Sequence, residues 1–366
     1  MAHIVIDARI INSTTGRYVE RLVTYLQQID TTNRYTVLVP EKDKDFWVPT
    51  ASNFSVKTIT YTNYSFNEQL GFAHFLKTLK PDLVHFCMPQ QPILYTGKKV
   101  TTFHDLTLLK TYNSDKNWLV FHGKQLVGKY VFGRVAATSS HIIAVSNYTK
   151  KELLQFFPKT AKDNVSVIYE ASDIASVKPK KYSLPFKHYL LYVGNQADYK
   201  NIKRLGDAHQ LLLAKYPDLG LVLVGKENAA SANNKTYFNS RNYRNIHFTG
   251  FVDDTQLGWL YTHAEAYVFP SLMEGFGLPG LEAMHYGTPV ISSNATCLPE
   301  VYGKAAVYIN PIDTSDMATH IDEVLSNPKL QEKLKKQGYA QVAKYSWEKQ
   351  AKQTLAVYET VLATGL

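Results

Sequence analysis

Two glutamates, Glu274 and Glu282, stand with seven residues between them in a stretch that reads Glu-Gly-Phe-Gly-Leu-Pro-Gly-Leu-Glu-Ala-Met from Glu274 to Met284. An apolar run, 264–269, precedes it and fits a buried strand. Gly275 and Gly277 permit a tight turn and the close approach of a ligand to the backbone. Pro279 suits the first position of a helix, and Gly287 the left-handed residue after its end. A helix start behind a glycine turn offers free N–H groups and the positive end of a dipole, which suits an anion. A carboxylate beside a phosphate would repel it. The two glutamates are better placed to accept hydrogen bonds from hydroxyls on either side of a phosphate. Ribose on one side of a diphosphate and hexose on the other would satisfy both, which suggests a nucleotide-sugar.

A second stretch has the complementary charge. Tyr192-Val-Gly-Asn195 ends a strand pattern, and Asp198-Tyr-Lys-Asn201 follows where a helix begins. A lysine at that point, Lys200, can neutralise a diphosphate as a point charge. In the first half of the chain, Asn12-Ser-Thr-Thr-Gly-Arg-Tyr18 is a polar loop between a strand and a helix, and its Gly16 and Arg17 suit substrate contacts. It lacks the three-glycine dinucleotide fingerprint, which argues against a nicotinamide cofactor and an oxidoreductase. His104, in Phe103-His-Asp105, ends another strand and is a candidate to bind a sugar hydroxyl or a developing charge. Asp253 and Asp254 precede a helix and read as N-terminal acids rather than a metal pair.

These residues must be positioned by alternating elements. Strand patterns fall at 3–7, 35–39, 56–60, 83–86, 100–103, 142–145 and 165–168, with helices at 17–28, 67–79 and 118–137. After a polar stretch at 171–187, read as a linker, the pattern restarts. Strands at 188–193, 219–224, 246–249, 264–269, 289–292 and 306–309 alternate with helices at 203–215, 255–262, 278–286, 315–326 and 330–343, and a last helix covers 347–362. Strands alternating with helices imply parallel, doubly wound sheets, in which ligands bind beyond the carboxyl ends of the strands. The expected division is 1–180, 181–346 and a terminal helix within 347–366.

The two cysteines, Cys87 and Cys297, give no disulfide framework and no metal spacing, and fit a reducing cytosol. No apolar run reaches the ~18–20 residues that span a bilayer. The first residues enter a strand pattern without the regions of a signal peptide. The net charge of +9 is concentrated at Lys98, Lys99, Lys110, Lys116, Lys124, Lys129, Arg134, Lys150 and Lys151, interleaved with Trp118, Phe121, Tyr130 and Phe132. Such a surface suits an anionic membrane or an acidic acceptor, and no motif for nucleic acid accompanies it.

Taken together, the stretch from Glu274 to Met284 resembles the Glu-x7-Glu motif of the family 4 retaining glycosyltransferases. The resemblance continues through Gly287-Thr-Pro-Val-Ile-Ser, Leu298-Pro-Glu-Val, Tyr192-Val-Gly-Asn with Lys200-Asn-Ile, Ile6-Asp-Ala-Arg9, Gly16-Arg-Tyr18, His104-Asp105 and Ala144-Val-Ser-Asn-Tyr-Thr-Lys150. It implies the GT-B fold: two Rossmann-like domains with an interdomain cleft, the acceptor mainly on the first, the donor on the second, and a C-terminal helix crossing back. It assigns Glu274 to the donor sugar's hydroxyls and Glu282 to the ribose. Phe276, Gly277 and Leu278 would hold sugar and phosphate, Lys200 the diphosphate, the backbone at Phe251 and Val252 the base, and His104 would lie beside the transferring sugar. It implies no metal and no cofactor. Where many members carry an arginine after the loop glycine this chain has Asn195, and Lys226 is the candidate to replace its charge. The pattern is similar to bacterial mannosyltransferases that build glycan chains, which puts GDP-mannose first as donor and a UDP-sugar second. The expected acceptor is a glycan or lipid-linked hydroxyl, met in the cytoplasm or at the inner face of the membrane. A nucleotide- or glycan-binding protein without activity is the alternative from another class.

Overall fold

The structure is a computed structural model that describes residues 1–13, 15–111, 118–172 and 178–364, and for 118–121 the backbone alone. Thr14, Lys116, residues 173–177 of the expected linker and the side chains of Trp118 and Phe121 therefore lie outside the described residues. The chain divides into two compact units. The first holds Met1–Leu109, His122–Glu170 and Ser346–Leu366; the second holds Lys110–Phe121 and Ala171–Tyr345.

In the first unit, β1 (His3–Asp7), β2 (Arg34–Pro40), β3 (Phe54–Ile59), β4 (Leu83–Phe86), β5 (Lys99–Phe103), β6 (His141–Ala144) and β7 (Val165–Val167) form a parallel sheet in the order 3-2-1-4-5-6-7. Its helices are α1 (Gly16–Ile29), α2 (Ala73–Thr78), α3 (Thr107–Lys110) up to Leu109, α4 (Trp118–Thr138) from His122 on, and α5 (Asn147–Phe156). The central strands are buried along their whole length, as parallel strands covered on both faces must be. The expected helix at 67–79 starts at residue 66 and passes through a single π turn, Glu68–Phe72, into α2. α5 is started by Ser146, whose hydroxyl accepts from the Thr149 N–H at 3.1 Å.

The last helix, Trp347–Ala363, belongs to the first unit and packs against α1. Its anchor is polar. The Tyr358 hydroxyl meets His85 Nδ1 at 2.5 Å, His85 Nε2 meets Thr102 Oγ1 at 2.9 Å, and Thr102 meets the Tyr18 hydroxyl at 2.8 Å. Burial pushes the His85 pKa down to about 3, so the ring is neutral and can accept on one side while donating on the other. Lys98 Nζ caps the far end by donating to the carbonyls of Val361, Leu362 and Thr364 at 3.1, 3.2 and 2.6 Å. A cation there also meets the negative end of the helix dipole.

In the second unit, β8 (Tyr189–Val193), β9 (Gly220–Val224), β10 (Ile246–Gly250), β11 (Ala266–Phe269), β12 (Val290–Ser293) and β13 (Ala306–Ile309) form a parallel sheet in the order 10-9-8-11-12-13. Its helices are α6 (Ile202–Leu212), α7 (Ala229–Ser240), α8 (Asp254–His263), α9 (Leu278–His285), α10 (Leu298–Tyr302), α11 (Thr314–Leu325) and α12 (Pro328–Val342). The sequence reading left 229–240 unassigned because Ala-Ala-Ser-Ala-Asn-Asn-Lys-Thr-Tyr-Phe-Asn-Ser has no apolar period. A reciprocal capping box between Asn228 and Ser231 starts that helix instead. In each sheet the strand order reverses once, between β1 and β4 and between β8 and β11, and this is where a doubly wound sheet opens a crevice at its carboxyl edge.

Candidate functional site

The reversal point of the second sheet is flanked by the loop after β8 and the loop after β11. The first carries Lys200, the second Glu274. Their charged ends meet at 2.5 Å, with only 11% and 12% of the side chains exposed. Below them lie aromatic rings. Lys200 Nζ sits 5.3 Å from the centre of the Phe269 ring and 5.2 Å from that of Tyr199. Phe269 in turn packs on Tyr192 and Tyr267. Burial raises the phenols of Tyr192, Tyr267 and Tyr302 and the thiol of Cys297 well above their ordinary pKa values, and the charge of Glu274 adds to each. These groups are therefore neutral around a carboxylate that ion-pairs with Lys200.

Backbone geometry fixes both loops. Asn201 takes a left-handed conformation at φ 65° just before α6. Its amide donates to the carbonyls of Pro270 and Pro311 at 3.1 and 2.6 Å, and the Leu272 N–H donates to the Tyr199 carbonyl at 2.8 Å. The lysine loop is thus tied to the glutamate loop on either side of the ion pair. Gly277 caps α9 at φ 97°, which an L side chain adopts only at a cost. Pro279 is the second residue of the helix, one place further in than the sequence reading put it, and Gly287 closes it in the expected left-handed form at φ 74°.

Tyr302 was not singled out from the sequence. Its hydroxyl donates to the Gly277 carbonyl at 2.5 Å, and its ring fills the space where Gly277 and Gly280 would carry a Cβ. The glycines of this turn therefore serve two needs: backbone torsion at Gly277, and room for Tyr302 at Gly280. The signal available was indirect, since Tyr302 follows Leu298-Pro-Glu-Val in α10.

Glu282 lies on α9, where the Tyr261 hydroxyl donates to its Oε2 at 3.2 Å. Phe276 and Leu278 flank Gly277, Phe276 being buried against Tyr345. Asn195 follows Gly194, which stands at φ 144°; its carbonyl accepts from the Tyr192 hydroxyl at 2.5 Å, and its side chain caps the turn by accepting from the Ala197 N–H at 3.3 Å. Gly225 is obligatory for a different reason, because its Cβ would lie 2.2 Å from the Gly194 carbonyl. Lys226 is exposed, with Nζ 5.8 Å above the ring of the equally exposed Phe251, next to the buried Val252.

In the first unit, Gly16 opens α1 where a Cβ would strike the Ile11 carbonyl at 2.0 Å, and Arg17 is half-buried beside it. His104, the candidate for a sugar hydroxyl or a developing charge, has internal partners on both ring nitrogens. Nδ1 meets Glu170 Oε1 at 2.9 Å and Nε2 meets the Cys87 carbonyl at 2.9 Å. A carbonyl and a carboxylate only accept, so the ring satisfies both when both nitrogens carry protons. Burial alone would lower the pKa; the hydrogen bond and charge of Glu170 outweigh it and hold it above the ordinary value. Glu170 lies 66 residues away in sequence, which hid this pair.

Comparison with known proteins follows from this geometry. Residues 15–176 match the family model described as Glycosyltransferase Family 4, and residues 173–341 the one described as Glycosyl transferases group 1. The O-antigen chain mannosyltransferase B of Escherichia coli is 32% identical over 279 residues, 72% of this chain and 70% of that protein. The chain belongs to glycosyltransferase family 4. The family 4 chain is also 32% identical over 266 residues to the serotype-specific mannosyltransferase WbdA of Escherichia coli, spanning 68% of its own length and 32% of that relative's. Sucrose-phosphate synthase from Thermosynechococcus elongatus has the same fold over 100% of both chains, with a TM-score of 0.79 at 19% identity. WaaG, a glycosyltransferase involved in lipopolysaccharide biosynthesis, gives 0.73 at 13% identity, also over 100% of both. The fold is GT-B, with two Rossmann-like parallel-sheet domains.

The packing of Tyr302 yields a direct test. In Gly280→Ala the new Cβ would fall 2.3 Å from the Tyr302 ring and hydroxyl, so the tyrosine must shift and release the Gly277 carbonyl. Overpacking of this kind costs about 1–3 kcal/mol. The melting temperature should fall by several degrees and the KM for donor should rise at least fivefold. Unchanged melting and kinetics would show that Tyr302 does not set the turn.

Proposed function

We propose that this glycosyltransferase moves a hexose, foremost mannose from GDP-mannose, to a hydroxyl of a glycan or lipid-linked acceptor during cell-surface polysaccharide synthesis, with retention of anomeric configuration. The observation that carries the reading is the Lys200–Glu274 ion pair at the reversal point of the second sheet. The two groups are matched to the two halves of a nucleotide-sugar: Lys200 to the diphosphate, Glu274 to hydroxyls of the hexose. In this reading Glu282 takes the ribose, and the turn at Phe276, Gly277 and Leu278 offers backbone N–H groups to the phosphates. Asn195 and Lys226 border the phosphates, and the backbone at Val252 borders the base. Support for mannose comes from the relatives, which include an O-antigen chain mannosyltransferase.

The proposed chemistry is front-face attack. The acceptor oxygen bonds to the anomeric carbon as the bond to the diphosphate oxygen breaks, and the leaving diphosphate takes the acceptor's proton. Catalysis then rests on electrostatic stabilisation of the leaving group by Lys200 and on positioning. Glu274, paired with Lys200, acts as a hydrogen-bond acceptor rather than a nucleophile. His104, whose pKa Glu170 holds above the ordinary value, would when protonated contribute charge on the acceptor side. The reading calls for neither a metal nor a cofactor.

We also infer contact with an anionic membrane at its cytoplasmic face. α4 exposes Leu126, Val127 and Tyr130 beside Lys124, Lys129 and Arg134 and carries no acid, and an open groove of about 460 Å³ runs from there to Phe156 and Phe157. Apolar side chains rimmed by cations suit headgroups of negative charge. Among the described residues no helix is long and apolar enough to cross a membrane.

A thermal-shift panel of GDP, UDP, dTDP and ADP sugars tests the donor. GDP-mannose at 100 times its Kd should stabilise the protein by about 2.7 kcal/mol. With acceptor present it should then yield product of the donor's anomeric configuration by NMR, unaffected by EDTA. No shift with any nucleotide would end the donor-site reading. For the membrane, vesicles containing a third phosphatidylglycerol should co-sediment the protein at low salt and release it above about 0.5 M NaCl. Equal binding to neutral phosphatidylcholine vesicles would contradict the charge argument.

A further inference from the structure

The transfer chemistry leaves a buried charge network in the first unit without a task. Arg9, after β1, is gripped by Asp7: Nε donates to Oδ1 and Oδ2 at 2.8 and 3.1 Å, and Nη2 to Oδ2 at 2.7 Å. Nη1 donates to Glu68 Oε1 at 2.7 Å, Nη2 to the Gln90 carbonyl at 3.3 Å, and the guanidinium lies 4.5 Å from the centre of the Phe72 ring. All three charged side chains are almost wholly buried. Removing such charges from water is expensive, and well-packed apolar residues would often serve stability as well. The arrangement makes sense by what it positions.

What it positions is the turn after β3. The second oxygen of Glu68, Oε2, accepts from the Tyr64 N–H at 2.8 Å. Ser65 Oγ accepts from the Glu68 N–H at 3.0 Å and donates to the Thr62 carbonyl at 2.8 Å, and the Gln90 amide donates to the Tyr64 hydroxyl. Held this way, Tyr64 stands at φ 63°, a region that a bulky side chain adopts only under constraint. The result is an exposed pair of rings: Tyr64 is 59% and Phe66 91% exposed, with Leu70 at 65% beside them. The turn lies at the carboxyl edge of the sheet, the edge that also carries Arg9, Gln90 and His104.

The surroundings decide what such a surface fits. From Thr60 to Leu70 the one charged residue is Glu68, and it is buried. The exposed neighbours are Thr62 and Asn67, a hydroxyl and an amide. Within this segment no cation stands to meet an anionic headgroup. A neutral pyranose fits, since one face of the ring presents C–H groups to an aromatic surface while hydroxyls at its rim reach amides and hydroxyls. We propose that Tyr64 and Phe66 form a stacking platform for a neutral sugar ring of the acceptor glycan. The proposal rests on the reading of this protein as a glycan-extending transferase.

Binding of a panel of mannose, glucose, galactose and N-acetylglucosamine trisaccharides, followed by saturation-transfer NMR and titration, tests it. The wild type should bind at least one of them. Phe66→Ala, which replaces a ring that is almost wholly exposed, should weaken that binding at least tenfold, and Phe66→Trp should restore it. The stabilisation produced by GDP should be the same in all three proteins. No binding of any trisaccharide to wild type, or equal binding by Phe66→Ala, overturns the platform while the GDP result stands on its own for the donor site. Loss of the GDP effect in Phe66→Ala would show damage to the fold instead, and would overturn it too.

Discussion

A lysine and a glutamate held at 2.5 Å over aromatic rings, with about a tenth of either side chain in contact with solvent, set the terms for any ligand of the second unit. Each charge satisfies the other. A ligand that takes Lys200 with a phosphate must also give Glu274 something to accept from, because an uncompensated buried charge costs several kcal/mol. An anion alone leaves the carboxylate stranded, and a sugar alone leaves the ammonium. A molecule with both a diphosphate and vicinal hydroxyls replaces both partners at once. In the proposed reading the pair would thus favour an intact nucleotide-sugar over either half.

Keeping that pair in place occupies much of the local sequence. Asn201 ties the lysine loop to the start of the glutamate loop through the Pro270 carbonyl and to the loop after β13 through that of Pro311, which is why its left-handed backbone is tolerated just before α6. Tyr302 locks the glycine turn from beneath. The tyrosines and Cys297 around Glu274 are neutral, so none of these groups sets a second negative charge against the carboxylate. The first unit uses the same device for other ends. Arg9 with Asp7 and Glu68 is a set of buried charges, and Glu170 holds the pKa of the buried His104 above its ordinary value; both sit at the carboxyl edge of the sheet.

How much of this could be read in advance depended on sequence distance. The strands announced themselves as short runs of Val, Ile and Leu, since a parallel sheet buries both faces. The glycine turn was legible because Gly275, Gly277, Pro279, Glu274 and Glu282 lie within nine residues. The pairing of Lys200 with Glu274 joins positions 74 apart; charge type pointed to one site, though nothing in the chain stated that the two would touch. The internal partners of His104 were not legible because Cys87 and Glu170 stand 17 and 66 residues off. The helix at 229–240 escaped because it is polar and rests on a cap, and Pro279 was placed one residue early because the left-handed Gly277 takes the capping position. Tyr64 and Phe66 sat in what read as the approach to a helix, and only the buried network shows that the turn is held in one shape.

The central claim is that Glu274 reads the hexose while Lys200 holds the diphosphate, each released from the other by the donor. Calorimetric titration of GDP and of GDP-mannose against wild type and Glu274→Gln separates the two roles. Losing the carboxylate should leave GDP binding equal or tighter, since Lys200 no longer has to give up a partner. GDP-mannose should bind at least tenfold more weakly, a loss of about 1.4 kcal/mol. Equal weakening of both ligands, or of neither, would contradict the assignment.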